Sequence, residues 1–173
     1  MKILKSLAVI IIVLMLLGLY LPKQLSPKFS ISRAVVIKAP VSEVFKRLPD
    51  LNEYLNWNPF SAKASNQVSG VGQDSFMTWK DKEAGEGKMT ITQVLSNHKI
   101  KIDMEFYKPF PGKATVYWIT VPTPDGNTEL KWTYDQELTY FQRYLPFVMK
   151  GMLGKQFERG LATYKAIVES SAK

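Results

Sequence analysis

The chain contains no cysteine and only one histidine, His98. Without cysteine there can be no disulfide, no thiolate metal site and no cysteine nucleophile. His98 stands beside Asn97 in a run with turn character, so a Ser-His-Asp arrangement has no base on a regular element. No spaced carboxylate loop of the calcium-binding kind occurs. Gly85-Glu86-Gly87 lacks the further glycine and following helix that a phosphate cradle needs. The formal charge is +8, but the basic residues are scattered along the chain and no nucleic-acid motif accompanies them. That charge reads as solubility with attraction to anionic surfaces, lipid headgroups included. Neither a cofactor, a metal nor a nucleic-acid partner is expected, and the oligomeric state is left open.

What the chain does have, first, is a long apolar run. Leu7 to Leu21 is interrupted only by Gly18 and Tyr20, and it is preceded by Lys2 and Lys5. With Ile3 and Leu4 it approaches the ~20 residues that a spanning helix needs. A cleaved secretory signal is the alternative, yet the run ends Gly18-Leu19-Tyr20-Leu21-Pro22 without a small-x-small pair to cut. The reading is an uncleaved single-pass anchor in the cytoplasmic membrane, over residues 1–22. Lys23 and Lys28 oppose Lys2 and Lys5 in the positive-inside comparison, so orientation rests on the short amino-terminal flank. That flank favours a cytoplasmic amino terminus and a globular part on the non-cytoplasmic side. Residues 23–30, with Pro27, then read as a short stiff linker, and 31–170 as one domain.

That domain opens with the β-branched stretch Ser32 to Lys38, which Pro40 breaks. Val41, Val44, Phe45 and Leu48 carry helical spacing, with Ser42 as a possible cap. Asp50 to about Asn56 reads as a second short helix with Asp50 at its N-cap. A meander follows, with strands at Ser75–Lys80, Gly85–Gln93, Lys99–Tyr107, Lys113–Val121 and Thr128–Leu138. Their separators carry turn chemistry, such as Pro124-Asp125-Gly126-Asn127. Ile100, Ile102, Met104 and Phe106 alternate with Lys101, Asp103 and Glu105, and Leu130, Trp132 and Tyr134 alternate with Glu129, Lys131 and Asp135. One face is wet and one buried, the pattern of an antiparallel sheet.

From about Phe141 to Val168 the period changes to that of a helix. Leu153, Phe157, Leu161, Tyr164 and Val168 fall on one narrow arc at 100° per residue, with Lys155, Glu158, Arg159 and Lys165 on the other side. An apolar sheet face and an apolar helix stripe must bury each other. The predicted class is therefore α+β, a curved antiparallel sheet wrapped around a long C-terminal helix.

Several strings sharpen this. Arg33 to Pro40 with Val44-Phe45, then Leu51 to Phe60, Trp79, Gly85-Glu86-Gly87, Tyr107-Lys108-Pro109-Phe110 and Gly151 to Leu161 occur in order. Together they resemble the START-like or SRPBCC superfamily, its polyketide cyclase/dehydrase branch and membrane-anchored bacterial members. The resemblance implies the helix-grip fold and an apolar cavity between sheet and helix. A hydrophobic small molecule or lipid would then be the partner, held by a tethered, non-catalytic module. The lining expected is Trp79, Phe106, Trp118, Trp132, Tyr134, Phe147, Lys150, Leu153 and Phe157. Met89, Met149 and Met152 are candidates for a flexible wall, and Lys150 for contact with a carboxylate or phosphate. Two alternatives remain. One is a cyclase- or hydrolase-like enzyme using Glu86, with Tyr134 in support and Glu83 or an Asp103–Glu105 pair as weaker acids. The other is a protein-interaction module with a collapsed core.

Overall fold

A computed structural model of the chain describes residues 2–60, 64–82 and 85–171; Glu83, one of the candidate acids, lies outside them. Helix α1 (Lys2–Tyr20) is followed by a short 3-10 turn, Leu21–Lys23, and strand β1 (Lys28–Ile37). Two short helices come next, α2 (Val41–Lys46) and α3 (Leu51–Tyr54). The meander runs through β2 (Ser65–Ser69), β3 (Phe76–Asp81), β4 (Gly85–Leu95), β5 (Lys99–Lys108), β6 (Gly112–Pro122) and β7 (Thr128–Glu137). A second 3-10 turn, Phe141–Tyr144, leads into α4 (Pro146–Ser171). Helix α1 is 19 residues long, and the segment Lys5–Lys23 has the length and hydropathy to cross a membrane.

The strands form one seven-stranded sheet in the order β1-β7-β6-β5-β4-β3-β2, with every pair antiparallel. The alternation in β5, β6 and β7 gives each of them an inward apolar face, as their sequences require. Helix α4 lies across this face along β1. Its predicted stripe of Leu153, Phe157, Leu161, Tyr164 and Val168 is buried, joined by Gly154 and Gly160. The helix starts at a proline, whose missing N–H costs nothing in the first turn. Its far end is tied to the end of β1, where Lys165 Nζ donates to the Val36 carbonyl and the Lys38 amide donates to Glu169.

The architecture is the α+β helix grip read from the sequence, with local differences. Strand β1 begins at Lys28, so it takes in residues that the sequence assigns to the linker. Strand β2 is unforeseen, because Ser65-Asn66-Gln67 has no apolar alternation; it is an edge strand, where polar residues are tolerated. Asp50 caps α3 as expected, accepting from the Asn52 amide at 2.8 Å. Ser42 does not cap α2, which starts from Pro40 without a side-chain cap.

Candidate ligand site at the open end of the grip

Sheet register arranges the inward side chains into rows across the strands, from one end of the grip to the other. The row at the middle places Ile100, Trp118, Trp132 and Arg33 side by side. Here the hollow is full. Trp132 stacks on Phe157 with ring centres 4.4 Å apart and planes 9° from parallel. Trp57, from the segment after α3, packs against Trp118, Trp132 and Tyr164 at 5.0, 5.4 and 4.8 Å. Tyr54 closes the cluster against Trp118 at 5.2 Å. Gly160 makes this possible: a Cβ there would stand 3.0 Å from Trp132, 3.1 Å from Pro59 and 3.2 Å from the Trp57 carbonyl. The sequence reading expects Trp118, Trp132 and Phe157 to line a cavity; edge-to-face and stacked contacts with Trp57, Tyr54 and each other use that space instead.

Two rows further along, burial is less complete. One row carries Val68, Met77, Met89, Met104, Ala114 and Gln136. The last row carries Asn66, Trp79, Gly87, Phe106 and Gly112. Here Trp79, Met104 and Phe106 are only partly buried although they point inward, and so is Met149 on the facing helix. The two glycines leave the row shallow: the Trp79 indole lies over Gly87, where any Cβ would collide with the ring, and meets Phe106 edge-on at 5.8 Å. Beside this space Tyr134 donates from its hydroxyl to Gln136 at 2.9 Å. Burial holds the Tyr134 phenol well above its ordinary pKa, so it stays a neutral donor. The side-chain amide oxygen of Asn66 is buried with no hydrogen-bond partner among the described residues. An unpaired buried acceptor beside flexible methionines and a half-covered indole suits an apolar molecule carrying one hydroxyl or protonated head.

A family profile described as "polyketide cyclase / dehydrase and lipid transport" matches residues 28–169. The chain belongs to that family. No curated protein matches it in sequence. Among solved structures it resembles the di-domain aromatase/cyclase StfQ of the steffimycin biosynthetic pathway, with TM-score 0.65 and 15% identity over 87% of this chain and 53% of that one. A protein of Nitrosospira multiformis matches with TM-score 0.61 and 18% identity over 83% of this chain and 99% of the other. The Aha1 dimer of Colwellia psychrerythraea matches with TM-score 0.59 and 14% identity, over 82% and 96%. At these identities the likeness is one of fold.

Within this member of the cyclase/dehydrase and lipid transport family, the expected lining residues separate into three groups. Trp79 and Phe106 stand at the less completely buried end, and Tyr134 borders it. Trp118, Trp132, Leu153 and Phe157 are core. Phe147 and Lys150 do not line the hollow: Phe147 is 74% exposed and Lys150 is also on the surface. They sit in the first turns of α4, where the outward side is apolar as well as the inward one. Met89 is buried in the methionine row, whereas Met152 faces outward.

Glu86 is also not where a cavity acid would have to be. A register shift between Glu86 and Gly87 accompanies its outward side chain, which bridges Lys80 at 3.3 Å and Lys108 at 3.4 Å. The Lys80 hydrogen bond is the largest effect on its carboxyl; desolvation opposes it, and Lys108 adds to it, so that the carboxyl is held below the ordinary range and is ionised at neutral pH. Asp103 and Glu105 are likewise outward, paired with Lys101 and Lys113. They line an open depression of about 760 Å³ on the solvent face of the sheet, with Tyr117 and Asp135. Among the described residues no group of three or more His, Asp or Glu is placed to hold a metal. Sequence reasoning missed Asn66, Gln136 and Met77 at the open end. Only a correct pairing of β2 with β3 would have brought Asn66 into view.

Proposed function

We propose that this protein is a membrane-held binding module that takes a lipid-like or other hydrophobic small molecule into the open end of the grip, without chemistry. The observation that carries the reading is the incomplete burial of Trp79, Met104 and Phe106 on the inward face of the sheet and of Met149 on α4. Apolar groups left half covered inside a fold gain about 25 cal/mol for each Å² a ligand removes from water. Family membership supports a hydrophobic ligand. Helix α1, read as a membrane span of the cytoplasmic membrane, supplies a high local concentration of membrane-derived ligand. The outward, ion-paired state of Glu86 supports binding over proton transfer.

The test uses the full chain in phosphatidylcholine/phosphatidylglycerol vesicles with a diazirine-tagged fatty acid as probe. Light-dependent labels should map to peptides holding Trp79, Phe106 and Met149, should saturate, and should fall when Met104→Trp fills the space. Labels confined to α1 would refute the reading. The packed Trp57, Trp118 and Trp132 cluster favours a second reading, a protein-interaction module. Absence of saturable labelling in the domain would move the conclusion there.

A further inference from the structure

Every exposed large aromatic of the described domain lies at one end of it. Tyr107 and Phe110 are on the β5–β6 connection, Phe141 is in the second 3-10 turn, and Phe147 is at the start of α4. Register puts these together: Phe106 pairs with Gly112 at the same end as Lys28 with Glu137. Gln142 Nε2 donates to the Pro111 carbonyl, linking the 3-10 turn to the β5–β6 connection. Among the described residues the opposite end of the sheet offers only scattered aliphatics such as Leu95 and Val121. Val148 and Met152 extend the aromatic end along the outward side of α4, at 75% and 53% exposure. The exposed amines of Lys23, Lys28 and Lys150 flank it.

The same end grips the carboxyl terminus of α1. Pro22 has no N–H, so the Gly18 carbonyl loses its ordinary helical donor. The Tyr144 hydroxyl takes that place, donating to Gly18 O at 2.6 Å. The Tyr140 hydroxyl donates to Leu19 O, and Arg143 Nη1 donates to Pro22 O at 2.9 Å. Pro22 is buried by the contact. Hydrogen-bond donors are needed where a helix leaves hydrocarbon, and tyrosine hydroxyls at headgroup level serve that need. The clamp therefore fixes the depth of the aromatic end relative to α1.

We infer that this end of the domain is a bilayer-docking surface. Phe141, Phe147 and Val148 enter the headgroup and upper acyl region beside the domain's own helix, and the flanking lysines meet anionic lipid phosphates. The chemistry is that of an interfacial anchor: aromatic and aliphatic tips ringed by amines, continuous with a span. Docking turns the less completely buried end of the grip toward the lipid, which is the side from which a membrane-derived ligand arrives.

The inference rests on reading α1 as a membrane span, and the test separates the two. The chain has no cysteine, so single-cysteine variants Leu14→Cys, Val148→Cys and Asn97→Cys of the full chain each take one nitroxide label. All three positions are exposed, and none lies in the proposed ligand space. In phosphatidylcholine/phosphatidylglycerol vesicles the ratio of collisions with oxygen to collisions with a water-soluble nickel chelate is read at each. Val148 is expected to show a ratio several-fold above Asn97 and nearer to Leu14, falling toward Asn97 when Tyr140→Phe and Tyr144→Phe are combined with it. A Leu14 label as water-accessible as Asn97 overturns the span and the docking together. A buried Leu14 with a water-accessible Val148 overturns docking alone. Dipolar broadening between Val148 labels assigns the surface to a second copy and also overturns it.

Discussion

Phe157 and Phe147 are the same residue type, ten positions apart on one helix, and should respond to truncation in opposite ways. Phe157 is 2% exposed, stacked flat on Trp132 and touched edge-on by Phe60. Removing its ring loses the transfer free energy of a buried aromatic and opens a void that neighbouring indoles cannot fill, about 3–5 kcal/mol for Phe→Ala. The stacked contact is included in that figure and accounts for roughly 0.5–1.5 kcal/mol of it. For a domain of this size each kcal/mol moves the midpoint by roughly 3–4 °C, so Phe157→Ala should melt about 10–20 °C lower. Phe147 buries almost nothing, and Phe147→Ala should change stability by no more than about 0.5 kcal/mol in detergent. The assay is thermal unfolding of the full chain, followed by near-ultraviolet circular dichroism of the buried tryptophans. Equal midpoints for the two variants would refute the claim that α4 fills the middle of the grip.

Gly160→Ala should destabilise by about 1–2 kcal/mol in the same assay. Its Cβ meets Trp132, Pro59 and a backbone carbonyl that cannot all retreat, which outweighs the helix propensity gained. Gly154→Ala should be neutral or slightly stabilising, because the group it meets is the end of the Arg33 side chain, whose exposed pair with Glu158 is worth about 0–1 kcal/mol. Glu86 should make a pH-dependent contribution of known sign. Its folded-state pKa lies below the ordinary 4.5, so the stability it adds is present above that value and is lost as pH falls through the lowered one. Urea midpoints of Glu86→Gln and the parent should therefore differ slightly near neutrality, converge in acid and converge in high salt; a gap that widens in acid would contradict the ion-pair geometry. Tyr140→Phe with Tyr144→Phe removes two donors from the end of α1, about 1–3 kcal/mol in all, and tryptic cleavage after Lys23 or Lys28 should accelerate by about 5- to 150-fold.

The fold was legible because two periods dominate the sequence. Ile100, Ile102, Met104 and Phe106 declare a strand face, and Leu153 through Val168 declare a helix stripe. The two surfaces have no other place to go. The site was less legible, because periodicity gives the face a residue points to and not what meets it there. Trp118 and Trp132 point inward as expected, but only the approach of Trp57 across Gly160 shows that they fill space instead of lining it. Phe147 and Lys150 misled for a different reason. The start of α4 is apolar on both sides, so helical angle alone could not tell the core side from the outward one. Glu86 misled because flanking glycines suggest a special position without saying which face it takes; the lysines that fix it, Lys80 and Lys108, lie on neighbouring strands.

The clamp on α1 changes what tethering means for such a module. Between the turn that ends at Lys23 and the strand that begins at Lys28 stand only residues 24–27. Fully extended, four residues reach about 14 Å. Even with Tyr140, Arg143 and Tyr144 released, the start of β1 stays within that reach of the turn that ends α1, about twice the depth of one headgroup layer. With them engaged it has no free travel, since Pro22 is buried against the domain and Leu138 donates from its amide to the Pro27 carbonyl at 2.7 Å. A carrier that shuttles through the aqueous phase needs the opposite design, a long flexible linker. With α1 as the span proposed above, this geometry would have a bound molecule taken from, or presented at, the membrane surface beside the domain. A partner receiving it would then have to come to that surface too.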